Sequence, residues 1–210
     1  MSGQEKKDFD KEANSWDENP VPVKIAGDVA GAIISDGHLS KDLDVLDFGC
    51  GTGLVTLRIQ PLVKSITGAD GSQGMLAVLK NKAQQNGLSN VMTKHVDLER
   101  GERVSGAFQV IVTNMTLHHV PDAEALLIQL AKLLPPGGRM YVSDLDAEDG
   151  SFHADNTGVF HFGFDRQRLK GVLESAGLSD IGDTTASRIV RKKGSGEKEY
   201  SIFLINGRKP

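Results

Sequence analysis

Cysteine, aromatic residues and long apolar runs are scarce in this chain of 210 residues. Cys50 is the single cysteine, which excludes an intrachain disulfide and a metal cluster held by several thiolates. No apolar run approaches the roughly 18 residues of a membrane-spanning helix, and residues 1–12 lack the apolar core of a secretory signal. The net charge of −4 argues against a nucleic-acid partner. These absences predict a cytoplasmic protein with neither a membrane nor a nucleic acid as partner.

Glycine is concentrated in residues 45–54, where a short apolar run ends. Asp47 lies near the end of this run, and three glycines follow at every second position: Gly49, Gly51 and Gly53. Glycine adopts backbone angles that a Cβ forbids, so the chain can turn sharply and a ligand can lie against bare backbone. An apolar helical pattern resumes after the third glycine. We therefore predict a strand, a turn and a helix whose amides face a nucleotide-type cofactor.

The spacing of the glycines separates two classes of cofactor. Dinucleotide-binding proteins favour G-x-G-x-x-G, in which the pyrophosphate reaches the helix N-terminus. Here the third glycine comes one residue early, and the carboxylate of Asp47 would repel a pyrophosphate but attract a cation. The loop resembles the D-x-G-x-G-x-G loop of the class I S-adenosylmethionine-dependent methyltransferases, which holds the cofactor's amino-acid end with its ammonium and nearby sulfonium. An ordinary glycine turn of an α/β protein is the alternative.

Two acids at later strand ends extend the cofactor pattern. Asp70 lies 21 residues after Gly49, where a carboxylate can accept both hydroxyl protons of a ribose. Dinucleotide-binding proteins share this acid, so Asp70 alone does not choose the cofactor. The resemblance implies that Asp97 reaches the adenine amino group and that Leu98 packs on the ring. Alternatively, Asp97 caps its own turn.

The order of the elements predicts an α/β fold. Strands alternate with helices five times, which indicates a parallel sheet covered by helices on both faces. A pair of strands near residues 178–190 and 200–206 ends the chain, and the basic tip at 191–198 is expected to be a solvated loop; its short turn makes the last strand antiparallel to its neighbour. We predict a doubly wound, mostly parallel, seven-stranded Rossmann-like sheet with an antiparallel C-terminal strand. The resemblance spans about residues 41–146.

The segment before this fold is predicted to be helical. Phe9 and Trp16 are seven residues apart and share one helical face, and Asn19-Pro20 breaks the pattern. We assign residues 1–20 to an N-terminal docking helix or to a lid over the cofactor, and residues 21–210 to one methyltransferase domain. The resemblance favours the lid.

The resemblance also implies the residues that bind S-adenosylmethionine. They come from the N-terminal segment, the glycine loop, the three later strand ends and the helix after the second strand. The set is Trp16, Asp47, Gly49, Cys50, Gly51, Thr52, Gly53, Asp70, Gly71, Met75, Asp97, Leu98, Asn114 and Met115.

Histidines supply the candidate catalytic residues. His119, His153 and His161 could orient or deprotonate an acceptor, although the residue type alone favours a hydrogen-bonded structural role for each. Because adjacent histidines usually point apart, we expect at most one of His118 and His119 to face the pocket. Residues 150–164 combine phenylalanine with histidine and leave the carboxyl end of the fifth strand, so we expect them to line the acceptor side or to pack on the domain. We predict no metal site, since the spacing of His153 and His161 matches no known one.

These observations predict an S-adenosylmethionine-dependent methyltransferase with a small-molecule acceptor. The segment that begins at Asn114 departs from the N-P-P-Y pattern of enzymes that methylate nucleic-acid amines. A protein or RNA acceptor is the second choice, and a nicotinamide-dependent oxidoreductase or a catalytically silent binding module are rivals from other classes. The glycine spacing and the acids Asp47 and Asp97 disfavour the oxidoreductase. The acceptor atom and the oligomeric state are left open by the sequence.

Overall fold

The computed structural model describes residues 7–98, 100–193 and 196–210, and these form a seven-stranded sheet flanked by helices. The strands are β1 (Asp44–Phe48), β2 (Ser65–Asp70), β3 (Val91–His95), β4 (Val110–Asn114), β5 (Arg139–Leu145), β6 (Ser179–Lys193) and β7 (Gly196–Arg208). The α-helices are α1 (Phe9–Glu12), α2 (Pro20–Ser35), α3 (Thr56–Ile59), α4 (Gln73–Gln85), α5 (Ala123–Ala131) and α6 (Arg166–Ser175). Short 3₁₀ helices lie at Ala13–Glu18, Gln60–Leu62 and Leu117–His119.

The strand order is β3-β2-β1-β4-β5-β7-β6. Strands β1 to β5 pair in parallel, whereas β7 runs antiparallel to both β5 and β6. The prediction of a doubly wound, mostly parallel sheet with an antiparallel C-terminal strand is confirmed. Because the parallel strands share one direction, the loops after β1, β2, β4 and β5 meet at a single edge of the sheet, where ligands bind in folds of this class.

Apolar stripes on the helices place the core on both faces of the sheet. Ile25, Val29 and Ile33 bury one side of α2 against one face, and the leucines of α5 cover the other. Local signals fix where the helices begin: Asn19 accepts a hydrogen bond from the Val21 amide and Ser72 accepts one from the Met75 amide. No helix in the described ranges is long and apolar enough to cross a membrane.

Three element boundaries differ from the sequence prediction. The helix after the glycine loop is only α3, because Pro61 follows at once in a 3₁₀ turn. Strand β3 ends at His95, so Asp97 and Leu98 lie in the following turn rather than in the strand. Strand β5 continues to Leu145, because β7 pairs with it along its whole length and keeps Asp144 inside the sheet.

Candidate active site

A cavity of about 670 Å³ lies at the carboxyl edge of β1, β2, β4 and β5. This volume is within the range of roughly 300–1,000 Å³ that small-molecule sites occupy. One side of its lining is the glycine loop and the ends of β2 and β3, and the opposite side is the 3₁₀ helix after β4 with Phe152 and His153. The N-terminal segment, residues 7–20 of the described chain, supplies part of the wall.

The glycine loop is a tight backbone cradle. Gly49 has a positive φ of 73°, and a Cβ there would lie 2.1 Å from Thr116 Oγ1. Gly51 also has a positive φ, 53°, but only the Met75 sulfur lies near the position of its Cβ, at 4.0 Å. Asn114, which lines the same cavity, has a buried Oδ1 with no hydrogen-bond partner among the described residues. Bare backbone and an unpaired acceptor suit the amino-acid end of S-adenosylmethionine.

Asp70 joins the glycine loop to α4. Its Oδ2 accepts a hydrogen bond from the Gly51 amide and its Oδ1 accepts one from the Ser72 amide, each at 2.8 Å. Burial raises the pKa of this carboxyl above its ordinary value, while these amide bonds act to lower it. Since each carboxylate oxygen has two lone pairs, the same group retains capacity for ribose hydroxyls.

Asp47 is the other acid behind the loop. Its side chain is buried in the cavity wall, and its Oδ2 accepts a hydrogen bond from Thr56 Oγ1 at 2.5 Å. Burial, together with the nearby charge of Asp70, raises the pKa of Asp47 to about 6. A cation bound beside Asp47 would favour its ionised form and reverse this shift.

The third acid, Asp97, lines the cavity beside Leu98. Its carboxylate also forms an ion pair with Arg100, with 3.4 Å between Oδ2 and Nε, and its amide donates to Glu102 Oε2. The side chain therefore takes part in its own turn and also faces the cavity, so each of the two roles considered for it is compatible with this geometry.

Two carboxylates fasten the N-terminal segment across the cofactor side. Asp10 Oδ1 accepts hydrogen bonds from Ser72 Oγ at 2.5 Å and from the Gly74 amide at 2.8 Å. Asp17 accepts one from Thr52 Oγ1 at 2.6 Å. The Phe9 and Trp16 rings of this segment lie 6.0 Å apart and face the cavity. The predicted helix is thus a short α-helix followed by a 3₁₀ helix, and residues 1–6 lie outside the described residues.

Three histidine side chains meet on the opposite wall. The ring centres of His118 and His119 are 4.1 Å apart, and the ring of His153 lies 5.0 Å from the first and 5.8 Å from the second. His118 Nδ1 bonds Asp144 Oδ1 at 2.7 Å, and His119 Nδ1 donates to the Gly158 carbonyl at 2.7 Å. The expectation that adjacent histidines diverge is wrong here, because a 3₁₀ turn and two separate anchors bring both rings to the cavity.

Burial controls the charge of two rings, His119 and His153, in this histidine cluster of His118, His119 and His153. Burial, helped by the charge of His118, lowers the pKa of His119 to about 3 and that of His153 to about 4, so both rings are neutral at pH 7. Asp144 is fully buried, which acts to raise its pKa, but its contacts with His118 hold that pKa below the ordinary value. Asp144 is thus a carboxylate that orients one ring of the cluster.

Most of the predicted site residues line the cavity. Those that do are Trp16, Asp47, Gly49, Cys50, Gly51, Thr52, Asp70, Gly71, Met75, Asp97, Leu98, Asn114, Met115, His119 and His153. Gly53 lies outside the lining, and a Cβ there would fall 2.3 Å from Leu79 Cδ1, so this glycine allows α4 to pack closely. His161 also lies outside, where its Nε2 bonds the Val120 carbonyl at 3.0 Å.

The segment 150–164 is divided between the cavity and the surface. Phe152 and His153 line the cavity, while Phe164 packs against the core. Phe160 and Phe162 are exposed, at 41% and 46%. The expectation that the whole segment lines the acceptor side therefore applies only to its first few residues.

Two cationic residues of the lining were missed by the sequence reasoning. Arg191 stands over the Phe152 ring at 4.3 Å, and its buried Nε has no partner among the described residues. It belongs to β6 and not to a solvated tip, and Gly194 and Ser195 of that tip lie outside the described residues. The period of two in a strand, which puts Arg191 on the same face as buried Ile189, could have indicated it. Lys7 also lines the cavity, but no pattern in the sequence around it indicated this position.

Comparison with known proteins agrees with the resemblance seen in the sequence. Residues 45–138 match the family model described as a methyltransferase domain. Over these residues the chain is similar to the class I S-adenosylmethionine-dependent methyltransferases. S-adenosylmethionine is the cofactor of this family, and the Gly49 cradle and the unpaired Asn114 oxygen fit its amino-acid end.

This chain matches only part of the length of its curated relatives. The uncharacterized methyltransferase C1347.09 of Schizosaccharomyces pombe is 33% identical over 153 residues, which are 66% of this chain and 54% of that protein. A ubiquinone biosynthesis O-methyltransferase of Coxiella burnetii is 30% identical over 125 residues, 60% of this chain and 53% of that protein. The chain thus spans about half the length of these curated relatives.

A solved structure shows the same fold. Magnesium protoporphyrin IX methyltransferase from Synechocystis, with bound S-adenosylhomocysteine, superposes with a TM-score of 0.64 at 20% identity. The superposition covers 89% of this chain and 83% of that one. At this level of identity the likeness concerns the fold, and the acceptor has to be argued from the residues of this cavity.

Proposed function

We propose that this chain transfers the methyl group of S-adenosylmethionine to an oxygen atom of a small acidic molecule. The observation that carries the proposal is a cavity in which a backbone cradle with two acids faces a wall of imidazole rings and a guanidinium. One side suits a cationic cofactor and the other suits a polar acceptor.

The cofactor side is argued from its charges. Asp47 and Asp70 lie behind the glycine loop, where they would favour the ammonium and sulfonium and accept the ribose hydroxyls. The neighbouring carboxylates would repel a pyrophosphate, which disfavours a nicotinamide dinucleotide. We include the N-terminal segment in the proposal as a lid, since Asp10 and Asp17 bond residues that flank this side of the cavity.

The acceptor side favours an acidic oxygen compound. Arg191 and Lys7 supply positive charge, and the Arg191 Nε is a donor without a partner in the described residues. A half-buried guanidinium is well suited to a carboxylate or phenolate. The similarity to an enzyme named as an O-methyltransferase supports oxygen as the acceptor atom.

Positioning supplies most of the catalytic effect in this proposal. When bound, S-adenosylmethionine supplies an electrophilic methyl group on its sulfonium. The side chains of the cavity hold the acceptor oxygen in line and exclude water, which can contribute roughly 7–11 kcal/mol. His119 and His153, with pKa values near 3 and 4, are weak proton acceptors at pH 7, so neither is assigned the role of general base.

A small acceptor is preferred to a protein or an RNA. The cavity is bounded by Phe9 and Trp16 on one side and by Phe152 on another, which leaves a pocket rather than an open groove. The described chain shows no broad basic face around it that would suit an RNA backbone, and the net charge of the sequence is −4. The cytoplasmic location stays a prediction from the sequence.

A substrate panel tests the proposal. The full chain is incubated with S-adenosylmethionine and sets of phenols, carboxylic acids and amines, and S-adenosylhomocysteine is measured. We expect turnover with an acidic oxygen compound and at least about a tenfold higher KM in Arg191→Gln, because a charged hydrogen bond contributes roughly 1.5–3 kcal/mol. Arg188→Gln, an exposed arginine of the same strand, is the matched control and should leave KM unchanged. Turnover with amines alone would contradict the oxygen assignment.

A further inference from the structure

The histidine cluster has the arrangement of a metal site. One ring nitrogen from each of His118, His119 and His153 lies within 4.8 Å of the other two. Their ring centres are 4.1–5.8 Å apart. Three imidazoles on one tetrahedral zinc ion, with bonds of about 2 Å, have ring centres about 5 Å apart. The spacing of the three rings therefore matches that of three imidazoles on one ion.

The hydrogen bonds of the rings leave the Nε2 atoms of His118 and His119 available to bind a metal ion. A backbone carbonyl can only accept, so His119 carries its proton on Nδ1 and has a lone pair on Nε2. His118 Nδ1 faces the Asp144 carboxylate, which leaves its Nε2 on the other side of the ring. A histidine that binds a metal typically donates its second N–H to a carboxylate or a backbone carbonyl in this way.

Two ring nitrogens otherwise have no explanation. His118 Nε2 and His153 Nε2 are buried and have no hydrogen-bond partner among the described residues. A buried polar atom without a partner costs about 1–3 kcal/mol, so each of these nitrogens calls for a partner that the described protein atoms do not supply, such as an ion or an ordered water. His118 is only 1% exposed and is one of the residues that line the cavity.

We propose that His118, His119 and His153 bind one divalent transition-metal ion of the zinc class, with an open position toward the cavity. Three histidines with a free fourth position are the donor set of catalytic zinc, and imidazole suits zinc, cobalt, nickel and copper. Asp144 supplies a negative charge behind the site. This proposal replaces the prediction, made from the spacing of His153 and His161, that the chain holds no metal.

The role of the ion follows from its place opposite the cofactor side, and this role rests on the proposed methyl transfer. The open position would take the acceptor oxygen and lower its pKa, so that its proton leaves to solvent. The oxygen then forms the new bond to the methyl carbon, and the sulfur keeps the electron pair of the broken carbon–sulfur bond. Arg191 and Lys7 line the same cavity and favour an anionic fourth ligand.

Metal binding is tested without activity. The untagged full chain is treated with a chelator, dialysed and titrated with Zn²⁺ or Co²⁺, with the metal content measured by mass spectrometry and the Co²⁺ ligand field by visible absorption. We expect one ion per chain and the intense visible bands of four-coordinate Co²⁺ in the wild type. His153→Ala should weaken binding at least about tenfold, and His119→Gln should do the same. His38→Ala, an exposed histidine outside the cavity, is the control and should bind normally.

Several outcomes would overturn the site. These are less than a stoichiometric amount of bound ion in the wild type, an octahedral Co²⁺ spectrum without protein nitrogen ligands, unchanged binding in His153→Ala, or an equal loss in His38→Ala and His153→Ala. Thermal unfolding of each variant shows that it is folded. S-adenosylhomocysteine binding is measured separately on the metal-free protein. Failure there, with the ion still bound through His153, would remove the proposed methyl transfer and leave the metal site supported.

Discussion

The two sides of the cavity differ in the chemical groups that form them and in how far apart those groups lie in the sequence. The cofactor side is backbone and carboxylates from short contiguous stretches, the glycine loop and the residues around Asp70. The acceptor side is made of side chains that are far apart in the sequence, such as His118, His153 and Arg191. A backbone cradle tolerates few substitutions, whereas a wall of side chains can change without disturbing the fold. In the proposed function, the backbone side holds the cofactor and the side-chain wall holds the acceptor.

The backbone side should be the less tolerant of an added methyl group. Gly49→Ala places its Cβ 2.1 Å from Thr116 Oγ1 in a positive-φ conformation, whereas Gly51→Ala meets the same strain in open space. We expect Gly51→Ala to cost roughly 1–2 kcal/mol of unfolding free energy. Overpacking should add about 1–3 kcal/mol more in Gly49→Ala. Urea unfolding measures both, and equal losses in the two variants would show that the contact with Thr116 relaxes freely.

Removing the central acid should weaken the cofactor and leave the fold intact. Asp70→Ala is expected to reduce the affinity for S-adenosylhomocysteine at least about tenfold, because charged hydrogen bonds to ribose are worth roughly 1.5–3 kcal/mol each. Asp44→Ala, an acid at the opposite end of β1, is the matched control and should bind normally. Calorimetry measures the affinity for S-adenosylhomocysteine in each variant. Unchanged affinity in a folded Asp70→Ala protein would mean that Asp70 only links Gly51 to Ser72.

The charge of Asp47 should make cofactor binding depend on pH. Its pKa is about 6 in the free protein, and a cationic ligand binds the ionised form. Below pH 6 the carboxyl must lose a proton for binding, so the affinity for S-adenosylmethionine should fall by up to about tenfold per pH unit. Above pH 6 it should be level. Asp47→Asn keeps an acceptor for Thr56 and should flatten this dependence; an identical pH profile in the variant would place the titrating group elsewhere.

The lid should have the smallest effect. Trp16→Ala removes an aromatic ring from the wall but leaves the Asp10 and Asp17 contacts in place. We expect S-adenosylhomocysteine to dissociate about threefold faster, since about 0.6 kcal/mol of contact would be lost. Phe160→Ala, an exposed phenylalanine outside the cavity lining, is the control. Stopped-flow fluorescence or surface plasmon resonance gives the rates, and an unchanged rate for Trp16→Ala would reduce the segment to a docking helix.

The same contrast explains how much could be predicted from the sequence. The fold class and the position of Asp70 follow from alternation and spacing, which are local properties of the chain. The histidine cluster depends on contacts between residues far apart, such as His118 with Asp144 and His119 with Gly158. No local period encodes these contacts, and the general expectation that adjacent histidines diverge pointed the wrong way.

The end of strand β5 could not be predicted from the sequence for a related reason. Pairing with β7 carries β5 to Leu145 and buries Asp144, although an acidic residue is an unusual member of a buried strand. Burial of an acid is costly unless it has a partner, and His118 provides one. The sequence shows both residues but not that they meet.

The central claim is that the glycine-loop side of the cavity holds S-adenosylmethionine and not a dinucleotide. The most direct measurement is a calorimetric titration of the full chain with S-adenosylmethionine, S-adenosylhomocysteine and NAD in parallel. We predict that the first two bind at one site per chain and that NAD gives no binding heat. Tight binding of NAD, with no response to S-adenosylhomocysteine, would contradict the account.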